Sequence, residues 1–289
     1  MESLKDNIVA TIMKRTQTGE ISGAILFNDE SADSSLYILI TLITESDYVS
    51  QRLYNDKDRG CIQEYKVTES QLEDWLVFDG NRPMIRWVSE GDIIADRDNY
   101  FKHFQDRLRQ FPNPLKDKKR LIEFSRFNRY YLRSKMNLQE NRPLDAYENV
   151  LKSLHHWARL AIIEQGKYPE LNLWSQIRSI NLGVYKLYEE LTESPESLLQ
   201  RVQLVLLACE FCIVSKLEDS SHILLQLLVS RDGAWGLEEI EAQLGLSGKV
   251  TNLSLLMNQL VKKSLVREVV VPIDDTLSIM ILKYERNSY

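Results

Sequence analysis

The sequence has only three cysteines, and Cys61, Cys209 and Cys212 do not have the spacing of a metal-ligand set. An odd count also argues against a disulfide framework, so the sequence predicts buried, reduced thiols. No uninterrupted apolar stretch approaches the roughly 20 residues of a membrane-spanning helix. The first residues mix charges of both signs with apolar side chains, which is not typical of a signal peptide. We therefore expect a soluble, cytoplasmic protein that does not interact with a membrane.

Several catalytic signatures are also missing. The sequence contains no HExxH, no GxSxG, no P-loop and no Rossmann glycine fingerprint. Its one histidine pair, His155 and His156, is adjacent on a predicted helix, and adjacent helical side chains point about 100° apart. We therefore expect one buried, hydrogen-bonded histidine and one at the surface. The sequence therefore shows no zinc, nucleophile or dinucleotide-binding signature.

Charge is unevenly distributed along the 289 residues, whose formal net charge is −6. Residues 1–111 carry a net charge of −7, residues 112–218 carry +3 and residues 219–289 carry −2. The middle third is thus the basic part of an acidic chain. A protein that binds nucleic acid through its whole surface is excluded, whereas a local site is not.

The first hundred residues combine strand and helix patterns. Residues 36–43 are nearly continuously apolar and rich in β-branched side chains, as in a strand buried on both faces. Shorter strands are predicted at 21–27, 61–67 and 92–95, and helices at 71–78, 83–91 and 100–111. Pro112 and Pro114 end this pattern. The sequence predicts a small α/β domain over residues 1–112.

The rest of the chain is predominantly helical. Five helical segments are predicted within a bundle domain over residues 113–218, and the last of them is apolar almost all round, so we expect it to be the central helix. Residues 219–289 read as three helices followed by two strands, the order of a winged helix. The predicted fold class is α+β and mostly helical, with three domains.

The most charged segment is the first bundle helix, which carries eight basic residues and two acidic ones between positions 115 and 135. Arg126, Arg129 and Arg133 are spaced by three and four residues, so they form one stripe beside aromatic side chains. Arginines next to aromatic rings can hold phosphates and stack a base. The alternative is that the stripe binds the acidic amino-terminal domain, since opposite charges attract without any ligand.

The order of these parts resembles the bacterial nucleotidyltransferase-like proteins, relatives of the kanamycin-nucleotidyltransferase and polymerase-β type of fold. The resemblance covers essentially the whole chain and is carried by three stretches, QLEDWLVFDGNRPMIRWVSEGDIIADRDNY (71–100), LDAYENVLKSLHHWARLAIIEQGKYPE (144–170) and VYKLYEELTESPESLLQRVQLVLLACEF (184–211). It implies a nucleotide substrate that lies in a groove between the amino-terminal domain and the bundle, near the arginine stripe.

An active member of this fold needs a Gly-Ser turn, an Asp-x-Asp pair and a third carboxylate to hold two Mg²⁺ ions. In this sequence the turn reads Ser22-Gly23, in reversed order. Asp33 matches one carboxylate, but the residue two positions further is Ser35. Glu64, on a predicted strand, is the candidate for the third ligand. The metal site is therefore degenerate, and Mg²⁺ is expected only if the protein is active.

Two functions remain open. The first is a non-catalytic nucleotide- or nucleic-acid-binding, regulatory protein, and the second is an active Mg²⁺-dependent nucleotidyltransferase that moves a nucleoside monophosphate to a hydroxyl acceptor. If the protein binds a nucleotide, Gly23 is a candidate phosphate contact together with Arg126, Arg129 and Arg133. Lys249, Lys262 and Lys263 are the candidate nucleic-acid contacts of the winged helix, although packing or dimerisation through that domain fits equally well. A homodimer is also open.

Overall fold

The computed structural model describes residues 4–29, 36–44, 51–56, 60–247, 252–272 and 280–287, with side chains described from residue 6 and not over 51–61. The chain divides into two compact units, Met1–Pro112 and Asn113–Tyr289. The further division into three domains stays a prediction.

The first unit is an α/β arrangement around one mixed sheet. Its elements are α1 (Leu4–Gln17), β1 (Gly23–Asp29), β2 (Leu36–Leu42), β3 (Gln51–Asp56), β4 (Gly60–Val67), α2 (Glu69–Phe78), α3 (Arg82–Glu90), β5 (Asp92–Asp96) and α4 (Tyr100–Gln110). The strand order is β3-β4-β2-β1-β5. β2 pairs with β4 in parallel, and the other neighbours are antiparallel. The predicted central strand at 36–43 is therefore confirmed.

Local sequence signals explain most element ends in this unit. Thr68 accepts a hydrogen bond from the backbone N–H of Gln71, and the Gln71 side chain accepts from the Thr68 backbone, so the two form a capping box before α2. Pro83 lies in the first turn of α3, and Gly91 ends that helix, as predicted.

α1 and β3 were not predicted. α1 covers the sheet with Ile8 and Ile12, which pack in a cluster with residues of β1, β2 and β5.

The second unit begins with a five-helix bundle. Its helices are α5 (Asn113–Gln139), α6 (Pro143–Glu164), α7 (Leu173–Ile180), α8 (Leu182–Glu193) and α9 (Leu198–Ser220). α5 and α6 pack along their length, and α9 lies against both. A core of apolar residues joins α6, α7 and α8 and consists of Ala158, Ala161, Ile162, Leu173, Ile177 and Val184. These three helices therefore share one apolar core.

The expectation that α9 is the central helix is wrong. One of its faces is buried, including Val202, Cys209 and Ile213, whereas the opposite face exposes Leu207 and Phe211 to solvent. A helix that is apolar all round need not be buried all round, because composition alone does not say which neighbours the fold supplies. In the described part of the chain, α9 is the one helix long and apolar enough to cross a membrane, and its packing in the bundle fits a soluble protein.

The elements after the bundle are α10 (His222–Leu228), β6 (Trp235–Gly236), α11 (Leu237–Gln243), α12 (Leu253–Lys262), β7 (Val266–Pro272) and β8 (Met280–Arg286). The three strands form an antiparallel sheet in the order β6-β8-β7. The predicted helices and hairpin are present, and β6 was not predicted. α10 and α12 both pack on α5.

Candidate functional site

The turn before β1 is part of the sheet's hydrogen-bonding network. The Ser22 backbone N–H donates to the Leu42 carbonyl, and the Ser22 carbonyl accepts from Arg97 N–H. A Cβ atom on Gly23 would lie 2.9 Å from Cε2 of Phe101 and 3.1 Å from the Ala95 carbonyl oxygen. Glycine is required here because α4 and β5 approach the backbone closely.

Glu64 is buried on β4, with its side chain only 1% exposed. One carboxylate oxygen accepts hydrogen bonds from Nη1 of Arg15 at 2.8 Å and from the Thr41 hydroxyl at 3.0 Å. Arg15 also contacts Glu20 at 3.0 Å. Burial lowers the pKa of Arg15, but its hydrogen bonds and charge interactions with both carboxylates outweigh that effect and raise the pKa overall. The arginine therefore stays charged and neutralises Glu64.

The other predicted carboxylate ligand, Asp33, lies outside the described residues. Within the residues that the structure does describe, no group of three or more histidine, cysteine, aspartate or glutamate side chains has an arrangement that could hold a metal ion. The described residues therefore give Glu64 no cluster of three metal ligands, and the cation that it shares with Glu20 is the Arg15 guanidinium. The predicted metal roles of both residues stay predictions.

A second charged cluster in the first unit was not found by sequence reasoning. Arg107 on α4 makes two hydrogen bonds of 2.7 Å to the carboxylate of Glu73 on α2. The Tyr100 hydroxyl donates to the same carboxylate at 3.2 Å, and burial together with the charge of Glu73 raises the pKa of Tyr100 far above its ordinary value. Glu73 lies 27 positions from Tyr100 and 34 from Arg107, and no local pattern links it to them. They tie α2 to α4.

The three arginines of the predicted stripe have different surroundings. Arg126 contacts Glu123, one turn earlier on α5, at 3.4 Å. The Arg129 guanidinium lies 5.5 Å from the ring centre of Tyr130, within the range of a cation–π interaction. Arg133 is exposed. The stripe is thus partly neutralised at one end and open at the other.

Glu123 organises a buried polar cluster between α5 and α6, and its side chain is only 1% exposed. It accepts a hydrogen bond from Nδ1 of His156 at 2.7 Å and another from Nη1 of Arg159 at 3.3 Å. The His156 ring stacks on Tyr130 with an interplanar angle of 4°. His155 instead packs edge-on against Trp174. The two histidines therefore make separate contacts. Both are partly buried, so the expectation of one buried and one surface histidine is wrong, and Glu123, the partner of His156, was not predicted.

The ring of Tyr130 is the centre of a positively charged aromatic surface, here called the Tyr130 surface. Its members are Arg126, Arg129, Tyr130, Arg133, Lys152 and His156. Besides Arg129, the ammonium group of Lys152 lies 5.8 Å from the Tyr130 ring centre. Lys152 also forms a salt bridge with Glu148. Such a surface can attract a phosphate and present an aromatic face to a base.

A separate open cleft lies where α5 begins and α10 follows α9, and its volume is about 310 Å³. Its lining is entirely polar and consists of Asn113, Lys116, Asp117, Arg120, Asp219 and His222. Arg120 forms a salt bridge of 3.2 Å with Asp117. The cleft therefore mixes charges of both signs and has no strong preference for an anion.

The candidate nucleic-acid contacts are at the carboxy-terminal end. Lys262 is the last residue of α12, Lys263 follows it, and both are exposed, whereas Lys249 lies outside the described residues. On the preceding helix, Glu239 accepts a hydrogen bond from the Gly236 backbone and pairs with Arg231, and these contacts lower its pKa. Glu239 therefore caps the start of α11, and its charge has a structural role there.

The fold and these sites define a two-part protein: a nucleotidyltransferase-like domain followed by a helical substrate-binding domain. Residues 1–116 match the family model described as nucleotidyltransferase-like, and residues 117–216 match the YgxA-like substrate binding domain.

The uncharacterised protein YgxA of Bacillus subtilis (strain 168) is 32% identical over 262 residues, which cover 90% of this chain and 85% of YgxA. The crystal structure of a nucleotidyltransferase-like protein from Exiguobacterium sibiricum 255-15 superposes with a TM-score of 0.83 at 27% identity, covering 96% of this chain and 99% of that one. The chain therefore belongs to the nucleotidyltransferase-like proteins that carry a YgxA-like substrate-binding domain, which confirms the resemblance stated above.

Proposed function

We propose that this protein is a non-catalytic member of its fold, which binds a nucleotide or nucleic acid without transferring a nucleotidyl group. The observation that carries the proposal is the state of Glu64, which is buried, already paired with the Arg15 cation and hydrogen-bonded by the Thr41 hydroxyl. A Mg²⁺ ligand must be reachable by the ion, its remaining waters and the substrate phosphates. Two-metal transfer also needs several carboxylates around the same ions.

The environment of Gly23 supports the same proposal. In glycine-rich phosphate-binding turns, the absent side chain lets a phosphate approach the backbone N–H groups. Here the space beside Gly23 is taken by the Phe101 ring and the Ala95 carbonyl. The glycine therefore serves packing, and no phosphate fits on that side of it.

The Tyr130 surface is the proposed ligand site. Arg133 provides an exposed guanidinium, and Arg129 and Lys152 lie within 6 Å of the Tyr130 ring centre. An arginine binds phosphate oxygens with two parallel hydrogen bonds, and a tyrosine ring stacks on a base. The ligand of this surface is thus a phosphate-bearing compound with an aromatic base, and its binding does not depend on Mg²⁺.

Isothermal titration with a non-hydrolysable nucleoside triphosphate, with and without Mg²⁺, tests the proposal. We expect weak binding that Mg²⁺ does not strengthen greatly and that Arg133→Ala lowers at least threefold. Arg178→Ala is the matched control, because Arg178 is also exposed, lies in the same unit and contacts an aromatic ring, that of Tyr185. Strong Mg²⁺-dependent binding that Asp33→Ala abolishes would contradict the proposal and restore the active nucleotidyltransferase.

The carboxy-terminal elements are proposed to form a winged helix, because α10, β6, α11, α12, β7 and β8 follow in the order of that motif. Its use in packing is favoured over DNA binding, since α12 contacts α5 and the lysines lie at the end of α12 rather than at its start. Retention on a DNA column that falls with salt and with Lys262→Ala plus Lys263→Ala would instead assign DNA binding to this segment.

A further inference from the structure

The strongest unexplained feature outside the proposed ligand site is an apolar stripe on the outer face of α9. The stripe consists of Leu204, Leu207, Phe211 and Val214, whose side chains are 48%, 67%, 77% and 51% exposed. It lies opposite the buried face of the same helix, which packs against the bundle. Together the four side chains expose roughly 500 Å² of apolar surface, at the upper end of what a monomer usually leaves uncovered.

The spacing of the stripe indicates its partner. The four residues follow each other by three, four and three positions, which is the spacing of a helix seam that packs against another helix. The four side chains are all apolar, include a phenylalanine and are β-branched only at Val214, and the one charged residue between Leu204 and Val214 in the sequence is Glu210, which lies beside the stripe. An apolar seam of this spacing fits a second apolar helix better than a peptide or a small ligand.

We propose that α9 is the contact helix of a homodimer, in which it pairs with α9 of a second copy in antiparallel orientation. About a two-fold axis near position 209, Leu204 faces Val214 and Leu207 faces Phe211, so each large side chain meets a complementary one. The same register brings Glu218 at one end of the stripe beside Gln200 at the other end of the partner helix. A parallel pairing would bring the two Glu218 carboxylates together.

The flanks of the stripe agree with a partner at this face. Glu210 on one side is neutralised by Lys135 of α5 at 3.2 Å, and its pKa is lowered by the hydrogen bonds from Lys135 and Tyr131. The charge of Glu210 beside the stripe is therefore paired within the chain, and Glu218, one turn after Val214, faces the uncharged Gln200 in the antiparallel register.

The buried area places the proposed interface among the small ones. Two stripes bury about 1,000 Å² of apolar surface, and the polar rim adds to it, which places the interface near the small end of stable complexes. We expect a dimer with a dissociation constant in the micromolar range.

Sedimentation velocity of the full chain between about 1 and 100 µM tests the proposal. The wild type is expected to shift from monomer to dimer over this range, whereas Phe211→Glu stays monomeric at every concentration. Leu144→Glu is the matched control, because Leu144 is 74% exposed on α6 and outside the stripe, and this variant is expected to dimerise like the wild type. Circular dichroism confirms that each variant is folded.

Three outcomes would overturn the proposal. The first is a wild type that stays monomeric throughout, and the second is a Phe211→Glu variant that dimerises with unchanged affinity. The third is a monomeric wild type that binds phospholipid vesicles and loses this binding in Phe211→Glu, since the stripe would then contact a membrane surface. Orientation is tested by mixing Leu207→Cys with Phe211→Cys chains: disulfide formation in the mixture supports antiparallel pairing, and efficient cross-linking of each variant alone contradicts it.

Discussion

The ion pair between Arg15 and Glu64 allows the sharpest test of the first unit. Replacing Arg15 by Met keeps much of the side-chain volume and removes the positive charge that pairs with the Glu64 carboxylate, whose side chain is 1% exposed. Breaking a buried pair from one side costs about 3–5 kcal/mol, because the remaining charge stays buried without compensation. Arg15 itself is 15% exposed, so water replaces part of the lost contact. We therefore expect about 3 kcal/mol, the lower end of that range.

Replacing Glu64 by Gln has a smaller cost. The amide oxygen still accepts from the Thr41 hydroxyl, and Arg15 keeps its contact with Glu20. The loss is the charge assistance of one hydrogen bond, about 1–2 kcal/mol. In the double variant no buried charge is left, so the two costs are expected to be non-additive by at least about 1 kcal/mol.

Native-state hydrogen exchange of the β2 and β4 amides is the suitable assay, because a chain of two units does not unfold in a single two-state step. Arg86→Met is the control, since its pair with Glu90 is exposed on both sides and its loss is expected to change stability by less than about 0.5 kcal/mol. If the exchange of β2 and β4 in Arg15→Met lies within about 1 kcal/mol of the wild type, Glu64 does not depend on Arg15. If added Mg²⁺ slows the exchange of these amides in Arg15→Met, Glu64 is a metal ligand.

Two further predictions concern packing and thiol chemistry. Gly23→Ala places a Cβ atom 2.9 Å from the Phe101 ring, so we expect hydrogen exchange of the β1 and β2 amides to show a loss of about 1–3 kcal/mol, with triphosphate affinity unchanged. Lost affinity at unchanged stability would instead make Gly23 a phosphate contact. Burial raises the pKa of Cys209 far above its ordinary value and that of Cys212 to about 12. With Cys61 replaced by Ser, we therefore expect a thiol reagent at pH 8 to react with the protein only when it unfolds. Fast reaction of the folded variant would contradict this prediction.

The parts of the fold that the sequence predicted are those with strong local signals. Strand β2 is continuously apolar, and helix α3 has a proline in its first turn and a glycine after its last residue. Helix α1 and strand β3 lack such signals. α1 mixes polar and apolar residues, and β3 is a short polar strand, QRLYND, that owes its pairing to β4 beside it. Tertiary neighbours rather than local propensity determine both.

The candidate sites show the same limit. The arginine spacing on α5 was visible in the sequence, because three residues three and four positions apart must share one helix face. The partners of those groups were not visible. Glu64 lies 49 positions from Arg15, and Glu123 lies 33 positions from His156. Sequence reasoning therefore located the charged groups but not the contacts that neutralise them.

The last prediction separates structural from ligand-binding charge in the helical unit. Glu123 is buried and shared by His156, Arg159 and Arg126, whereas Arg133 on the same helix is exposed. Glu123→Gln keeps the shape but removes the negative charge that buried Arg159 faces. Hydrogen bonds to charged groups contribute about 1.5–3 kcal/mol each, so we expect hydrogen exchange in α5 and α6 to show a loss of about 2–3 kcal/mol.

Arg133→Ala is expected to do the opposite: exchange in α5 and α6 stays within about 0.5 kcal/mol of the wild type, because the side chain is exposed, while triphosphate affinity falls. The two variants are therefore compared by hydrogen exchange and by titration on the same preparations: Glu123→Gln is expected to lower stability, and Arg133→Ala to lower affinity. If Glu123→Gln abolished binding without loosening α5 and α6, Glu123 would be a ligand-binding group. If Arg133→Ala left affinity unchanged, the ligand would not contact the exposed end of the stripe, and the Tyr130 surface would lose its role as the proposed site.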